Sequence, residues 1–418
     1  MKSILLFALG LAACSSVSVA AQTADPTQVL HAPNPENLKA QQGKHYVVLV
    51  SLDGFRYDYA REYGAPHFDE MAKDGVSAPD GMFPSYPSVT FPNHYTLVTG
   101  LRPEHHGLVG NGFLDPERGA SYGMSDAKSN ADGSWYGGTP LWVLAEQQGM
   151  RSACFFWPGS EAAIQGVRPT FYLHFDDSVD DHLRIDQVIA WLKMPEAERP
   201  HFINLYYSDA DHAGHRFGPD APETGAAVKK LDGLIGELRN KLKATGLPVD
   251  LIVTADHGMA KLDPNPIVLD TFANLDHFKF SGDMMYASTE EDAEKAYEEF
   301  RAHPDKRFTV YRRLDVPKEL QYNVSAREGD PVVVAHGPYA ISAHTPRRPP
   351  AGGSHGFPPH EVPEMKAIFY AEGPDIRAGV KLQSFDNIDV YPFIAHLLGL
   401  ETPPIDGVIA PLEPALKK

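Results

Sequence analysis

Short apolar runs that alternate with longer helical patterns constrain this chain more than any other feature of its sequence. The apolar runs occupy residues 47–52, 151–157, 201–207, 249–258 and 365–373, and helical patterns occupy residues 139–149, 225–246 and 389–400. Strands buried on both faces are short, β-branched and apolar, and strands that alternate with helices form a mostly parallel sheet covered by helices. The sequence therefore predicts an α/β fold with a mostly parallel central sheet flanked by helices.

Two further segments define the predicted domain organisation. The chain has 418 residues, 43% of them hydrophobic, and the main domain is predicted over residues 45–418. From about residue 267 to residue 344, a charged helical pattern, TEEDAEKAYEEFRAH, alternates with strand-like runs such as DPVVVA. This mixture predicts a small inserted α/β subdomain. Residues 22–44 are polar, contain proline and show no hydrophobic period, which predicts a linker.

The first 21 residues have the pattern of an export signal. They begin with one lysine, which is followed by an apolar stretch too short to span a bilayer. The string LAAC resembles a bacterial lipobox, which would make Cys14 the lipidated first residue; cleavage after Ala20 or Ala21 is the alternative. Both readings predict export to the cell envelope, in the periplasm, and only the first adds a membrane anchor. Cys154 is then left without an intramolecular partner, which excludes a disulfide framework.

The charge balance limits the class of partner. The formal net charge of −18 argues against binding a nucleic-acid duplex, because little in that balance would neutralise a phosphate backbone. A small anionic substrate remains compatible with the sequence if cations gather locally, and metal ions would supply them. Nothing in the sequence indicates the oligomeric state.

Acidic and histidine side chains follow three of the predicted strands at the point where each strand ends. Asp53 follows VVLVSL, Asp256 and His257 follow LIVTA, and the string SDADHAGH follows residues 201–207. Ligands bind outside the carboxyl ends of strands in open parallel sheets, so these side chains are expected at one edge. A single Asp at a strand end is usually a cap or turn residue, but three such ends are hard to explain as caps.

These residues divide into two candidate sets of metal ligands. Asp211 and His215 are four residues apart, which places both on one face of a helical turn, and His355 lies in the glycine-rich string GGSHGF. The second set consists of Asp53, Asp256 and His257. Three Asp and His ligands that leave one position open are typical of a catalytic zinc site. Taken alone, Asp211 and His215 fit a solvated helix face, and His355 fits an ordinary loop histidine.

Thr90 lies between a proline-bounded approach and an apolar helical run in PSVTFPNHYTLVTG, residues 87–100. Two interpretations fit this position, a helix cap or a nucleophile held where a cap would lie. Both need a helix N-terminus, where the dipole and free backbone N–H groups also favour phosphoryl oxygens.

Five strings resemble, in the same order, the motifs of the nucleotide pyrophosphatase/phosphodiesterase family of the alkaline phosphatase superfamily. They are LDGFRYDY, PSVTFPNHYTLVTGLRPEHHGLVGN, DADHAGHRFGP, TADHGM and SHGF, and the resemblance runs from about residue 46 to residue 400. It implies an alkaline phosphatase-like fold, two zinc ions and a threonine nucleophile at Thr90. It also implies that one zinc is held by Asp53, Thr90, Asp256 and His257, and the other by Asp211, His215 and His355.

The resemblance also implies the substrate and its contacts. Asn111, in GLVGN, matches an asparagine that hydrogen-bonds a phosphoryl oxygen, and Phe91 and Phe175 match aromatic residues that sandwich a nucleobase. The implied reaction cleaves phosphodiester and pyrophosphate bonds of nucleotides through a phosphothreonyl intermediate and releases nucleoside 5'-monophosphates. The alternatives are a phosphodiesterase acting on choline or lipid-like diesters, a phosphomonoesterase of the same superfamily, and an inactive binding protein. A phosphatase would need an arginine near the nucleophile, and residues 82–101 contain none.

Overall fold

The computed structural model describes residues 28–417, so the predicted export signal and Cys14 lie outside the described residues. The α-helices of this range, in chain order, are α1 Tyr59–Tyr63, α2 Pro66–Asp74, α3 Thr90–Thr99, α4 Pro103–His106, α5 Ala127–Ala131, α6 Leu141–Gln147, α7 Asp181–Leu192, α8 Asp209–Phe217, α9 Pro222–Thr245, α10 Glu290–Ala302 and α11 Val390–Leu398. The predicted helical patterns correspond to α6, α9, α10 and α11, whose apolar periods the sequence already contains. Across residues 28–417, no helix has the length and apolar character needed to cross a membrane.

The β-strands of the same range are, in chain order, β1 Leu30–His31, β2 Tyr46–Leu52, β3 Val76–Ser77, β4 Gly112–Asp115, β5 Ala120–Gly123, β6 Ser152–Phe155, β7 Phe171–Tyr172, β8 Phe202–Tyr207, β9 Val249–Thr254, β10 Ala260–Lys261, β11 Asp263–Val268, β12 Phe278–Ser281, β13 Met284–Ala287, β14 Phe308–Tyr311, β15 Val332–Ala335, β16 Tyr339–Ser342, β17 Gly353–Ser354, β18 Phe369–Glu372 and β19 Val380–Lys381. Nine of them form the central sheet in the order β1-β7-β6-β8-β2-β9-β18-β3-β19. The other strands form two-stranded pairs outside this sheet.

The centre of the sheet is parallel, which confirms the predicted α/β fold. The consecutive strands β7, β6, β8, β2 and β9 all run in one direction. In contrast, β18 is antiparallel to both of its neighbours, although its sequence resembles the other buried runs. A long segment, and not a single crossover helix, connects β9 to β18, so no βαβ unit dictates the direction of β18.

Register brings the ends of three central strands to one edge. Every residue of β2 is buried, as its β-branched and leucine side chains predict for a strand covered on both faces. Leu52, the last residue of β2, lies opposite Tyr207 of β8, and Ser51 lies opposite Thr254 of β9. The residues that follow these strands therefore leave the sheet side by side.

The described part of the predicted linker packs against the main domain. Strand β1 pairs antiparallel with β7 at the sheet edge. The buried side chain of Asn37 donates hydrogen bonds to the carbonyl oxygens of Glu196 and Arg199, at 2.8 and 2.7 Å. Residues 30–44 are therefore packed against the domain and are not the linker that the sequence predicts. Backbone pairings and amide contacts hold them, and such contacts leave no hydrophobic period in the sequence.

The segment predicted as an inserted subdomain builds most of a second hydrophobic cluster. It contains α10 and strands β12 to β16, and its buried side chains Met285 and Phe300 belong to this cluster together with Phe357 from outside the segment. Tyr322 of the segment belongs instead to the cluster of the central sheet. Strands β10 and β17 pair antiparallel where the chain leaves the sheet region and returns to it. The boundaries of the subdomain at residues 267 and 344 stay a prediction.

Candidate active site

The turn after β2 places Asp53 against α8. Gly54, the next residue, has a φ of 67°, which L side chains rarely adopt, and a Cβ there would lie 2.9 Å from the Cα of Asp211. Only glycine therefore allows the end of β2 to approach the first turn of α8 so closely. The approach brings the carboxylates of Asp53 and Asp211 to one site.

Asp53, Asp256 and His257 form a buried group, called the buried set below. Nε2 of His257 lies 3.0 Å from Oδ2 of Asp256 and 3.5 Å from Oδ1 of Asp53. All three side chains are almost completely removed from solvent. They come from the ends of β2 and β9, as the positions of Asp and His in the sequence predict.

Asp211, His215 and His355 form a second group at the mouth of the site, called the outer set below. Oδ1 of Asp211 lies 3.3 Å from Nε2 of His215 and 3.7 Å from Nε2 of His355. The side chain of His215 is 41% exposed, whereas those of Asp211 and His355 are largely covered. The ring of His355 stacks on that of His257, with centroids 3.6 Å apart, so the two sets are in contact.

Backbone carbonyl groups orient the histidines of both sets in the same way. The Nδ1 atoms of His215, His257 and His355 lie within 3.0 Å of the carbonyl oxygens of Gly353, Gly258 and Ser88, in that order. A carbonyl can only accept, so each Nδ1 carries a proton, and in the neutral ring each Nε2 presents a lone pair to the site. This tautomer is the one that a metal ligand requires.

The carboxylates of the site fit a bound cation. Oδ1 of Asp53, Oδ1 of Asp211 and Oδ2 of Asp256 are buried without a hydrogen-bond partner among the described residues. Buried carboxylate oxygens are costly unless a donor or a metal satisfies them. Three such oxygens beside three imidazole lone pairs have the donor chemistry that zinc-like divalent cations prefer.

The pKa values of the site show the same concentration of negative charge. Burial raises the pKa of Asp53 well above its usual range, and the charges of Asp256 and Asp211 add to the effect. Burial also opposes ionisation of Asp256, but the neighbouring His257 and His94 outweigh it and hold the pKa of Asp256 well below its usual range. Burial lowers the pKa of His355 to about 3, which keeps its ring neutral and able to act as a ligand.

Thr90 is the first residue of α3, and its hydroxyl faces the buried set. Val89 occupies the N-cap position, with extended backbone and no side-chain cap bond. Oγ1 of Thr90 lies 3.3 Å from Nε2 of His257. The interpretation of Thr90 as a helix cap is therefore wrong by one residue, while its predicted place at a helix N-terminus is confirmed.

Asn111 uses one of the backbone donors at this N-terminus. Its Oδ1 accepts a hydrogen bond of 2.8 Å from the backbone N–H of Phe91, which fixes the amide so that Nδ2 remains available to donate. Pro92 has no N–H, and the N–H of Asn93 bonds to Val89. Within the described range, Thr90 is the only first-turn residue whose N–H has no protein acceptor, so fewer donors are free than the sequence suggested.

Phe91 and Phe175 line one cavity, the Phe91 cavity, together with Thr90, Asp53 and Asp211. The cavity measures about 290 Å³. Phe175 is 55% exposed, and its ring lies 5.2 Å from that of Phe156, centroid to centroid. Aromatic faces beside a candidate nucleophile offer stacking surfaces for a flat ligand. The structure therefore places both predicted base contacts at the rim of one pocket.

Two residues of the site have no role in the sequence analysis. His94 is buried, and its Nδ1 lies 3.2 Å from Oδ2 of Asp256 and 3.0 Å from the carbonyl oxygen of Thr90. The spacing of four residues from Thr90 on α3 was a usable signal. Tyr206 donates a hydrogen bond of 2.6 Å to Oδ2 of Asp53, and it lies in an apolar strand that gives no such signal.

A parallel sheet that gathers Asp and His side chains around a hydroxyl at a helix N-terminus has the organisation of the alkaline phosphatase superfamily. The sequence model of a family described as type I phosphodiesterase / nucleotide pyrophosphatase matches residues 47–358. The chain belongs to this family, which confirms the resemblance found in the sequence.

Individual relatives agree with this assignment. The chain is 33% identical to ectonucleotide pyrophosphatase/phosphodiesterase family member 3 of Mus musculus, over 89% of this chain and 44% of the mouse protein, so it spans less than half of that relative. It is 33% identical to an uncharacterized pyrophosphatase/phosphodiesterase of Schizosaccharomyces pombe, over 86% of this chain and 78% of the yeast protein. A structure of inactive murine ectonucleotide pyrophosphatase/phosphodiesterase 5 in complex with AMP superposes with a TM-score of 0.84 at 30% identity, covering 90% of this chain and all of the murine chain.

Proposed function

We propose that this protein is a zinc-dependent hydrolase that cleaves phosphodiester and pyrophosphate bonds of nucleotides and releases nucleoside 5'-monophosphates. The observation that carries the proposal is the hydroxyl of Thr90, which lies at a helix N-terminus and 3.3 Å from Nε2 of His257, beside the buried set and the outer set. Family membership and the AMP bound to the murine relative support the same substrate class.

The metal assignment follows the two sets. Asp53, Thr90, Asp256 and His257 would hold one zinc ion, and the outer set would hold the other. Zinc in such a site lowers the pKa of a coordinated hydroxyl, as it lowers that of bound water to ~7.

The residues of the chain then act as follows. Oγ1 of Thr90 attacks phosphorus in line, a Thr90–phosphorus bond forms, and the bond to the leaving oxygen breaks. Nδ2 of Asn111 donates to a non-bridging oxygen, while Phe91 and Phe175 orient the base. Water next attacks the phosphothreonyl group from the side of the leaving group, which releases the nucleoside monophosphate and restores Thr90. Two inversions give net retention at phosphorus.

His94 acts in this scheme as a positioning residue. It contacts Asp256 and the carbonyl oxygen of Thr90, so it links a proposed ligand to the backbone of the proposed nucleophile. Its Nε2 lies 2.8 Å from Oγ of Ser51, which anchors the ring to β2. A ring held at both nitrogens restricts the orientation of Asp256.

We propose in addition that the protein acts outside the cytoplasm. The export signal predicted from the sequence supports this location, as do the curated relatives named as ectonucleotide enzymes. Lipid attachment at Cys14 is a finer proposal, and mass spectrometry of the mature N-terminus tests it. A free start at Ala21 or Gln22 would reject the lipid while leaving export intact.

A turnover panel on zinc-loaded protein tests the function. It compares a nitrophenyl ester of a nucleoside 5'-monophosphate, ATP, a choline phosphodiester and nitrophenyl phosphate. We expect kcat/KM for the nucleotide diester to exceed that for the monoester by at least about tenfold, because no arginine lies among residues 82–101 to match the extra charge. A monoester that is cleaved as well as the diester would instead indicate a phosphatase.

A further inference from the structure

A second cavity, called the acidic cavity below, lies beside the candidate active site. Its wall includes Val89, Asn111 and His355, whereas the next residue, Thr90, lines the Phe91 cavity. The two cavities have no lining residue in common. The N-terminus of α3 therefore stands between two pockets, and a phosphodiester bound at Thr90 has one pocket for each of its two arms.

The predicted inserted subdomain builds the far wall of the acidic cavity. The turn between β12 and β13 reaches the loop that carries Asn111. A Cβ on Gly110 would lie 2.7 Å from Cε of Met284, and one on Gly112 would lie 3.3 Å from Oγ of Ser281. The glycines on both sides of Asn111 thus allow the insertion to pack directly onto a proposed phosphoryl contact.

The lining of this cavity is aromatic and acidic. Three tyrosines, Tyr86, Tyr322 and Tyr339, contribute to its wall, together with the carboxyl groups of Asp283 and Glu328. Among the described residues that line it there is no lysine or arginine. Carboxylates and aromatic rings together favour organic cations, and an anion would meet two acidic groups without a counter-charge.

Glu328 is the most informative of these groups. It is 1% exposed; its Oε1 accepts a hydrogen bond from the backbone N–H of Ser325, and its Oε2 has no partner among the described residues. The turn that it caps needs only Oε1, so the cap does not explain the buried second oxygen. Burial raises the pKa of Glu328 to about 8, an effect to which Glu104 adds and which Arg313 opposes. A positive ligand would relieve this cost.

Asp283 supplies the second carboxyl group at the tip of the β12–β13 turn. Asp283 is exposed to solvent and lines the cavity. Asp283 and Tyr86 line the same cavity, and the charge of Asp283 adds to the larger effect of burial in raising the pKa of Tyr86. The acidic and aromatic side chains therefore line the same cavity.

We propose that the acidic cavity receives the leaving group of the diester and favours an alcohol that carries an ammonium group over an anionic leaving group such as pyrophosphate. The proposal rests on the proposed function, because it needs attack by Thr90. Hydrolysis consumes one water and yields a nucleoside monophosphate and the free alcohol, whose oxygen takes its proton from solvent. The inserted segment, and not the catalytic sheet, then sets leaving-group preference.

A matched pair of substrates isolates this preference. The 2-(trimethylammonio)ethyl and 3,3-dimethylbutyl esters of AMP have the same shape and the same nucleotide arm, and they differ in one positive charge. ATP provides the anionic leaving group. We expect the ratio of kcat/KM for the cationic ester to that for the neutral ester to fall about fivefold or more in Glu328→Gln and in Asp283→Asn. Turnover of the neutral ester should stay within about twofold.

Controls separate this proposal from the proposed function. Glu291→Gln removes an exposed carboxylate of α10 that does not line the cavity, and it should leave the ratio unchanged. An unchanged ratio in both cavity variants would overturn the leaving-group proposal, while turnover of the neutral ester upholds the proposed function. If no AMP ester is cleaved, the proposed function fails. In that case, calorimetry with tetramethylammonium tests without turnover whether the cavity binds a cation. Binding should weaken in both cavity variants.

Should Glu328→Gln fail to fold, Asp283→Asn decides alone, because Asp283 lies at an exposed hairpin turn where an amide is readily accommodated. In that variant, an unchanged ratio together with unchanged tetramethylammonium binding would reject the cavity as a cation site.

Discussion

The buried set and the outer set use the same ligand chemistry in different surroundings. Asp53, Asp256 and His257 lie at strand ends of the central sheet, and Asp256 and His257 have no exposed surface. In contrast, the outer set combines α8 with a loop that returns from the insertion, and the side chain of His215 is 41% exposed. If the proposed function holds, we expect the buried set to position Thr90 and the outer set to face water and the leaving group.

Burial also determines how each set is supported. Asp256 accepts a hydrogen bond from the backbone N–H of Gly54 and faces His257 and His94. Asp53 accepts a hydrogen bond from the hydroxyl of Tyr206. In the outer set, by contrast, His215 contacts the carbonyl oxygen of Gly353 and Asp211 while its side chain stays 41% exposed. We therefore expect changes in the buried set to affect folding as well as catalysis, and changes in the outer set to affect mainly metal and activity.

The largest effect should follow removal of the proposed nucleophile, Thr90, whose hydroxyl faces the buried set. Thr90→Ala deletes the attacking oxygen and leaves both sets of Asp and His ligands in place. We expect a loss of kcat of about 1,000-fold or more, with two zinc equivalents retained. Thr90→Ser should keep part of the activity, because it restores a hydroxyl. Full activity of Thr90→Ala would mean that water attacks phosphorus directly.

The second prediction compares one ligand from each set. Asp256→Ala and His215→Ala should each remove about one zinc equivalent and most of the activity. Without metal, Asp256→Ala removes the buried carboxylate that faces His257 and His94 and accepts from the backbone N–H of Gly54, and it should lower the free energy of unfolding by ~3–5 kcal/mol. His215→Ala should lower it by less than ~1 kcal/mol, because its side chain is partly exposed. Metal analysis and urea unfolding of the metal-free proteins measure both effects. Equal losses of stability would abolish the distinction between the sets.

The third prediction concerns His94, which supports only the buried set. His94→Gln keeps a polar group but changes its shape, and we expect a 10–100-fold loss of activity or of zinc affinity. Competition with a chelator should show weaker binding of one ion and unchanged binding of the other. A variant that weakens both ions equally would indicate a general structural role for His94.

The smallest effect concerns the rate of metal release. We expect a chelator to remove zinc from the wild-type protein in two phases, with the faster phase from the outer set, because solvent reaches His215 directly. In His215→Ala the fast phase should be absent. A single phase that accounts for both ions would contradict the contrast in accessibility.

Strand ends were the most predictable part of this molecule. Apolar runs of β-branched residues indicate buried strands, and register then carries Asp53, Asp256 and His257 to one edge without further information. The direction of β18 was not predictable in this way, because a short apolar run has the same composition in either orientation. Packing of residues 30–44 was missed for a related reason, since amide and backbone contacts leave no period.

The rest of the site depends on contacts between distant segments. His355 reaches Asp211 only after the chain has passed through the predicted insertion, so its pairing was inferred from ligand chemistry and a glycine-rich loop, and then from the resemblance, and not from spacing in the sequence. His94 and Tyr206 act through side chains buried inside α3 and β8, where apolar composition predicts core residues. The metal and nucleophile roles of the site residues stay predictions until the variants above are measured.

The short pairing of β10 with β17 has a consequence for how such a protein diversifies. Ala260 lies three residues after His257, Ser354 lies one residue before His355, and the two residues are paired across β10 and β17. This pairing brings the two ends of the intervening segment together next to both histidines. The pairing fixes the two histidines from the side of the sheet, whereas Met284 and Ser281 hold the insertion against the glycines on both sides of Asn111. An exchange of residues 263–351 between members of the family would therefore keep both histidines in place only if it also preserved this second contact.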